Sequence, residues 1–355
     1  MLLLPLSLLV GRLMWLLLLP FSLIYGAIIW ARGKLYDLRI LRSHSAPLPT
    51  IGVGNLAVGG TGKSPMVGEL AEMLRGAHHP AVLSRGYGRR TRGFREVLAT
   101  STAAEVGDEP LQLKLRHPWL RVVVCEDRVR GCETIRERFG EVDVILLDDA
   151  YQHRRLRVGL ELLLTSYTRL YTRDWPMPLG RLRDLRNQAK RARAIVLTKC
   201  PTTLTDGERE ALRRELTHPG QTFVCSGIAY GTPRSLYPEG GDEIPPGAEV
   251  SLITAIANPH PLWEYVAGEW CLRERLSLRD HARFGERERQ WMQQEMDAGR
   301  WIVSTEKDAM RLRDAVGADE QLAGRIFYIP IRPSWFGDDA ERVKTLVYEY
   351  LAENR

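Results

Sequence analysis

The chain opens on one hydrophobic regime and then switches to another. Between Met1 and Ala31 nearly every position is apolar, and from Leu13 to Ala31 no charged residue interrupts the run. A helix of about 20 apolar residues at 1.5 Å rise each is long enough to enter or cross a bilayer, so residues 1–31 are predicted to form an N-terminal membrane helix. Trp15, Tyr25 and Trp30 suit the interfacial level, and the cluster Arg32, Lys34, Arg39 and Arg42 that follows places the rest of the chain on the cytoplasmic side. Pro20 and Arg12 leave a bent or shallow insertion open. A cleaved signal peptide fits less well, because the run lacks a basic start and no small-residue cleavage site precedes the basic cluster.

From Pro49 onward the period shortens. Apolar runs of strand length (TIGVGNL, AVLSR, RVVVC, VDVILLDD, LELLLTS, AIVLTK) alternate with segments of helical period such as KSPMVGELAEMLRG and DRVRGCETIRERFG. Strands that are apolar throughout, interleaved with helices, predict an α/β fold with a doubly wound parallel sheet covered on both faces. Near residue 230 the composition turns to Pro and Gly in YGTPRSLYPEGGDEIPPGAE, and a second set of strands and helices follows. The expected organisation is therefore the anchor at 1–31, a first α/β domain at 45–229, a linker or hairpin at 230–249 and a smaller α/β domain at 250–355. A length of 355 residues fits two packed units. Five widely spaced cysteines without a CxxC pair argue against a disulfide framework or zinc site, and a net charge of +6 fits an anionic partner.

The first strand is followed by Ala57-Val58-Gly59-Gly60-Thr61-Gly62-Lys63-Ser64, the [AG]xxxxGK[ST] form of a P-loop, and then by a helix. Glycines are needed because successive backbone N–H groups must converge on phosphate oxygens with no Cβ in the way. The helix N-terminus adds its dipole, Lys63 reaches the β and γ phosphates, and the Ser64 hydroxyl serves Mg²⁺. A metal partner is expected at the end of another central strand, where Asp148 and Asp149 follow the run Val142 to Leu147. Side chains alternate along a strand, so the two carboxylates face different ways: one toward the metal, the other toward substrate or a neighbouring strand.

A guanine-reading NKxD element is missing at Thr198-Lys199-Cys200-Pro201, which disfavours GTP. A kinase also needs a proton acceptor, and the candidates are Asp108 in GDEP, His153 in DDAYQH, and Asp280-His281. Read alone, Asp108 before Glu109-Pro110 is a helix N-cap. The turn Arg85-Gly86-Tyr87-Gly88-Arg89-Arg90 is either a solvated loop or a clamp for phosphates.

In order along the chain, the apolar N-terminus, GNLAVGGTGKSP, SRGYGRR, VGDEP, VILLDDAYQH, TKC, AIANP, RDH and STEKDAMRL together closely resemble the tetraacyldisaccharide 4′-kinase family of lipid A biosynthesis. The resemblance implies transfer of the γ-phosphate of ATP, with Mg²⁺, to the 4′-hydroxyl of a tetraacyldisaccharide 1-phosphate, giving lipid IVA at the cytoplasmic face of the inner membrane of a Gram-negative bacterium. It implies Asp108 as general base with His281 as its partner across a cleft closed by the second domain, Lys63 on the phosphates, and Ser64, Asp148 and Asp149 around the metal. Arg85, Tyr87, Gln152 and His153 are expected near the substrate, and the basic segment Arg181 to Arg193 near lipid headgroups. Ala150-Tyr151 replaces the family's Gly-Phe, and Leu182-Arg183-Asp184 stands where Leu-Arg-Glu is frequent. The expected partners are the membrane-embedded acylated disaccharide and inner-membrane lipid, with no nucleic acid and no required protein partner. The alternative is a membrane-tethered P-loop ATPase that switches a protein partner.

Overall fold

The computed structural model describes residues 6–237, 243–280, 282–317 and 324–354. The chain divides into two compact units that interleave along the sequence: 1–85, 125–227 and 333–355 form the first, 86–124 and 228–332 the second. This departs from the collinear cut at 230–249. Composition marks where chain leaves a core, and it carries no signal for a segment that leaves and returns between two strands of similar character.

In the first unit, helix α1 (Leu6–Asp37) continues through Pro20. Six strands of this unit lie side by side as the parallel part of a larger sheet: β1 (Thr50–Gly54), β2 (Pro80–Ser84), β3 (Val144–Asp148), β4 (Leu160–Ser166), β5 (Ala194–Thr198) and β6 (Thr222–Tyr230). Their spatial order is β6-β5-β4-β1-β3-β2, every neighbouring pair parallel. Strand order runs one way from β1 to β2 and the other way from β4 to β6, so the sheet reverses direction beside β1. In open α/β sheets the carboxyl ends at such a reversal form the ligand crevice. Helices α2 (Lys63–Leu74), α3 (Arg128–Arg138) and α4 (Asp206–Leu216) make the crossovers. Strands β1, β2, β3 and β5 are buried at every position, which explains their unbroken apolar character.

The C-terminal helix (Asp339–Glu353) completes this unit. Thr50 N donates to the Tyr350 hydroxyl at 3.0 Å, and the Tyr348 hydroxyl donates to Met73 O at 3.0 Å. Asp339, fully buried, accepts from Arg209 at 2.6 and 2.8 Å and from Cys225 N at 2.7 Å.

The second unit has its own sheet of β7 (Glu249–Thr254), β8 (Cys271–Ser277), β9 (Trp301–Thr305) and β10 (Ile326–Ile329), in the order β10-β9-β7-β8 and parallel throughout, with Arg234–Ser235 antiparallel on β10. Helices α5 (His260–Glu269), α6 (Glu286–Asp297) and α7 (Glu306–Val316) accompany it, and Val250, Leu252, Val266, Val303 and Phe327 form its core. The excursion 86–124 contributes the helix Asp108–Arg116, which packs on α7. There Arg116 donates to Glu306 at 2.9 Å and to Ile331 O at 2.6 Å.

Asp339 ties three elements of the first unit, and its loss strands a guanidinium and a buried N–H. Asp339→Ala is expected to lower stability by about 2–4 kcal/mol, read as a fall in the thermal or urea midpoint; an unchanged midpoint would show that the C-terminal helix is held by its apolar face alone.

Candidate active site

The P-loop leaves β1 at the sheet reversal. Gly59 and Gly62 adopt φ of 114° and 84°, left-handed values that a side chain would strain. Gly62 caps α2 and has no side chain to bond the first-turn amides. The helix therefore begins with amide donors directed into the turn, and Lys63 and Ser64 are its first two residues. A Cβ built on Gly59 would lie 3.7 Å from an Arg181 nitrogen, and one on Gly60 would lie 3.7 Å from Lys199 Nζ, so cations rim the turn. Donors from the backbone, glycine where a phosphate must approach and three surrounding cations fit a triphosphate.

Two neighbours hold this turn in place. Asn55, 1% exposed, donates from Nδ2 to Thr61 Oγ1 at 2.9 Å, and Thr198 Oγ1 donates to Thr61 O at 2.9 Å. The segment Leu56–Val58 runs antiparallel to Arg181–Arg183: Val58 N donates to Arg181 O and Arg183 N to Leu56 O, both at 2.8 Å.

The two adjacent carboxylates have different partners, and the left-handed backbone at Asp149 rather than strand alternation separates them. Asp148 ends β3, is 5% exposed and accepts from Ser84 Oγ at 3.1 Å. Asp149 takes a left-handed φ of 51°, which turns its side chain to Lys63 Nζ at 3.7 Å and to a two-pronged contact with the Arg183 guanidinium. Burial acts to raise the Asp149 pKa, but the Arg183 hydrogen bonds and the charges of Lys63 and Arg183 outweigh it and hold the carboxyl below its ordinary range. Arg183 also bonds Asn55 Oδ1. Arg128, 3% exposed, has its pKa lowered by burial, against the raising influence of Asp148. Among the described residues no three His, Cys, Asp or Glu converge. Ser64 and an Asp at a strand end suit a hard cation whose remaining ligands are phosphate oxygens and water.

Helix α1 docks onto the same region. Ser22 Oγ donates to Pro176 O at 2.7 Å, the Tyr25 hydroxyl to Arg183 O at 3.4 Å, and Arg32 to Gln152 O at 3.2 Å. Gln152 Nε2 in turn donates to Asn55 O at 2.8 Å. Gln152 thus links the exit of β1 to α1. Trp15 meets Trp175 edge to face with ring centroids 5.5 Å apart. Arg183, expected on a lipid-facing segment, instead grips the P-loop flank. His153 Nε2 is buried without a hydrogen-bond partner, and burial, followed by the Arg128 charge, pushes its pKa down to about 4.

Arg85 is exposed at the end of β2. In the second unit, Tyr87 is 86% exposed on a turn that packs against Gly107. A Cβ on Gly107 would meet Tyr87 O at 3.0 Å, so only glycine fits there. Gly107 is itself the N-cap, and Asp108 is the first helical residue with no side-chain cap bond. The reading of Asp108 as a cap is therefore overturned: the preceding glycine occupies that position because the neighbouring turn leaves no room for a side chain. The charge of Asp108 adds to burial in raising the Asp314 pKa on α7. Asp280 pairs with Lys307 at 3.0 Å. His281 lies outside the described residues. Asn55, Ser84, Arg128 and Thr198 escaped the sequence reading, although each stands at or just past the end of a strand or its crossover helix, where polar residues in apolar surroundings are the available signal.

The His153 imidazole carries a folded pKa of about 4 against an ordinary 6.5. The unfolded chain takes up that proton first, so this contribution is complete above pH 6.5 and is lost as pH falls toward 4. The stability gap between wild type and His153→Asn is expected to narrow across that window in urea titrations; a constant gap would contradict a neutral, buried ring.

The tetraacyldisaccharide-1-P 4′-kinase family model matches residues 14–351. A tetraacyldisaccharide 4′-kinase of Bacteroides thetaiotaomicron is 36% identical over 342 residues, covering 91% of this chain and 90% of the relative. One from Flavobacterium johnsoniae is 37% identical over 329 residues, covering 91% of this chain and 93% of the relative. The crystal structure of LpxK from Aquifex aeolicus in complex with ATP superposes with a TM-score of 0.73 at 28% identity, covering 94% of this chain and 98% of that one. This chain belongs to the tetraacyldisaccharide-1-P 4′-kinase family.

Proposed function

We infer that this protein is an ATP-dependent lipid kinase that transfers the γ-phosphate of ATP to the 4′-hydroxyl of a tetraacyldisaccharide 1-phosphate in lipid A synthesis. The observation that carries this reading is the juxtaposition within one unit of the P-loop at the head of α2 and the apolar helix α1 docked beside it. An acylated disaccharide stays in the bilayer because each buried methylene contributes about 0.8 kcal/mol, so the enzyme must meet it at the surface. The window Trp15–Asp37 has a mean hydropathy of 1.6 and is largely exposed, which supports membrane association. The proposed location is the inner membrane with the catalytic body on the cytoplasmic face, following the basic residues after α1.

The residue roles are proposals. Backbone amides of 59–63 and the Lys63 ammonium bind and orient the phosphates; Ser64 and Asp148 hold Mg²⁺, and Asp149 fixes Lys63 and Arg183. When bound, Mg²⁺ screens repulsion among the phosphate oxygens and favours charge transfer to the leaving group. Asp108 accepts the proton of the 4′-hydroxyl, with the catalysis resting on positioning and electrostatics.

Incubation of the full chain with labelled ATP and a tetraacyldisaccharide 1-phosphate should yield labelled glycolipid; release of free phosphate alone would instead favour the partner-switching ATPase. Lys63→Ala is expected to lower kcat/KM by at least about 100-fold, and near-normal turnover would remove the phosphate assignment. Asp108→Asn should depress kcat by roughly 100-fold or more while ATP affinity holds. An unchanged kcat would mean that another group takes the proton.

A further inference from the structure

A cavity of about 620 Å³ lies in the first unit, and none of the P-loop residues 57–64 lines it. One wall is a short parallel ladder of His44–Ser45 on Leu156–Arg157, and the last turn of α1, with Tyr36 and Asp37, forms another. Five arginines line it, Arg39, Arg42, Arg154, Arg157 and Arg191, against two acidic residues, Asp37 and Glu161. Both carboxylates are already engaged: Arg154 bonds Asp37 at 2.8 Å, and Arg191 pairs with Glu161 at 3.3 Å. Arg39, Arg42 and Arg157 are exposed, and none makes a salt bridge among the described residues. The cavity therefore carries an uncompensated positive charge.

Its position selects among anions. The cavity opens where the apolar helix ends, and the chain there is amphiphilic: Arg39, Leu41 and Arg42 line the cavity, and their sequence neighbours Leu38 and Ile40 are 68% and 64% exposed. Along α1 the residues Leu16, Leu17, Phe21, Ile24 and Ile28 are also exposed. A free phosphate has no use for apolar neighbours, and 620 Å³ is far more than it fills. A phosphodiester headgroup with its acyl chains running back along α1 uses both.

We propose that this cavity binds the headgroup of an anionic membrane phospholipid, distinct from the disaccharide substrate, with Arg39, Arg42 and Arg157 holding the phosphate. The bound lipid fixes the depth and rotation of α1 at the membrane surface. The proposal rests on α1 lying in lipid, not on which alcohol is phosphorylated.

The test uses the full chain in a neutral detergent, titrated calorimetrically with dihexanoyl phosphatidylglycerol, dihexanoyl phosphatidylcholine or inorganic phosphate. Saturable binding of phosphatidylglycerol at one per chain is expected, with phosphatidylcholine and phosphate at least tenfold weaker. The triple variant Arg39→Gln, Arg42→Gln, Arg157→Gln should lose at least tenfold in phosphatidylglycerol affinity. A control triple variant at the exposed α3 residues, Arg130→Gln, Arg136→Gln, Arg138→Gln, should stay within twofold. Equal losses in the two triple variants would reduce the effect to diffuse surface charge, and inorganic phosphate binding as tightly as the lipid would make this a free-phosphate site; either overturns the proposal. Kinase assays without phospholipid provide the remaining arm. The first triple variant should keep kcat and the KM for the disaccharide, whereas a raised KM would give the cavity to the substrate and sink the proposal while leaving the kinase reading intact.

Discussion

The site is organised around one carboxylate shared by two cations. Asp149 stands between the Lys63 ammonium and the Arg183 guanidinium, and Arg183 also reaches Asn55. Two positive charges on one negative leave a positive excess at the head of α2, where uncapped amides add to it. Without Asp149, Lys63 and Arg183 would repel across a partly buried space; with it, the P-loop lysine has a counter-charge before any anion arrives. The left-handed backbone at Asp149 makes this geometry possible, because an extended residue after Asp148 would direct the side chain elsewhere.

The side chains that frame this site, apart from Lys63 and Arg183, come from the carboxyl edge of one sheet. Asn55 follows β1, Ser84 ends β2, Asp148 ends β3 and Thr198 ends β5. The register of parallel strands brings these ends to one level, so residues up to about 140 positions apart become neighbours through backbone pairing alone. The segment Arg181–Arg183 then lies against the P-loop entry and joins the strand ends to α1. Large excursions from such an edge disturb the core little, since connecting segments run over the surface. The chain uses this when it leaves after β2 to build the helix Asp108–Arg116 and returns before α3.

What could be read in the residues was whatever has a local period or a local steric demand. The all-apolar strands, the P-loop and the long N-terminal helix each declare themselves within a dozen or so neighbours, and the strand–turn–helix context was enough to place Lys63 and Ser64. Arg183 was misjudged because a basic segment looks like a solvated or lipid-facing one until its partner Asp149, 34 positions earlier, is seen beside it. Asp108 looked like a cap because its letters suit one; the crowding of Tyr87 against Gly107, which shifts the cap by one residue, is a tertiary fact. The interleaved division of the chain was illegible for the same reason, since the strands before and after 86–124 have the same composition.

The docking of α1 on the segment that flanks the P-loop has a kinetic meaning. With α1 in the membrane as proposed, a helix joined to Pro176, Arg183 and Gln152 by hydrogen bonds ties this unit to the bilayer surface. On the function proposed, encounter with an acylated substrate takes place by lateral diffusion in two dimensions. Turnover should accordingly follow the mole fraction of substrate in the surface, diluted by every bystander lipid, in place of its concentration in the surrounding water.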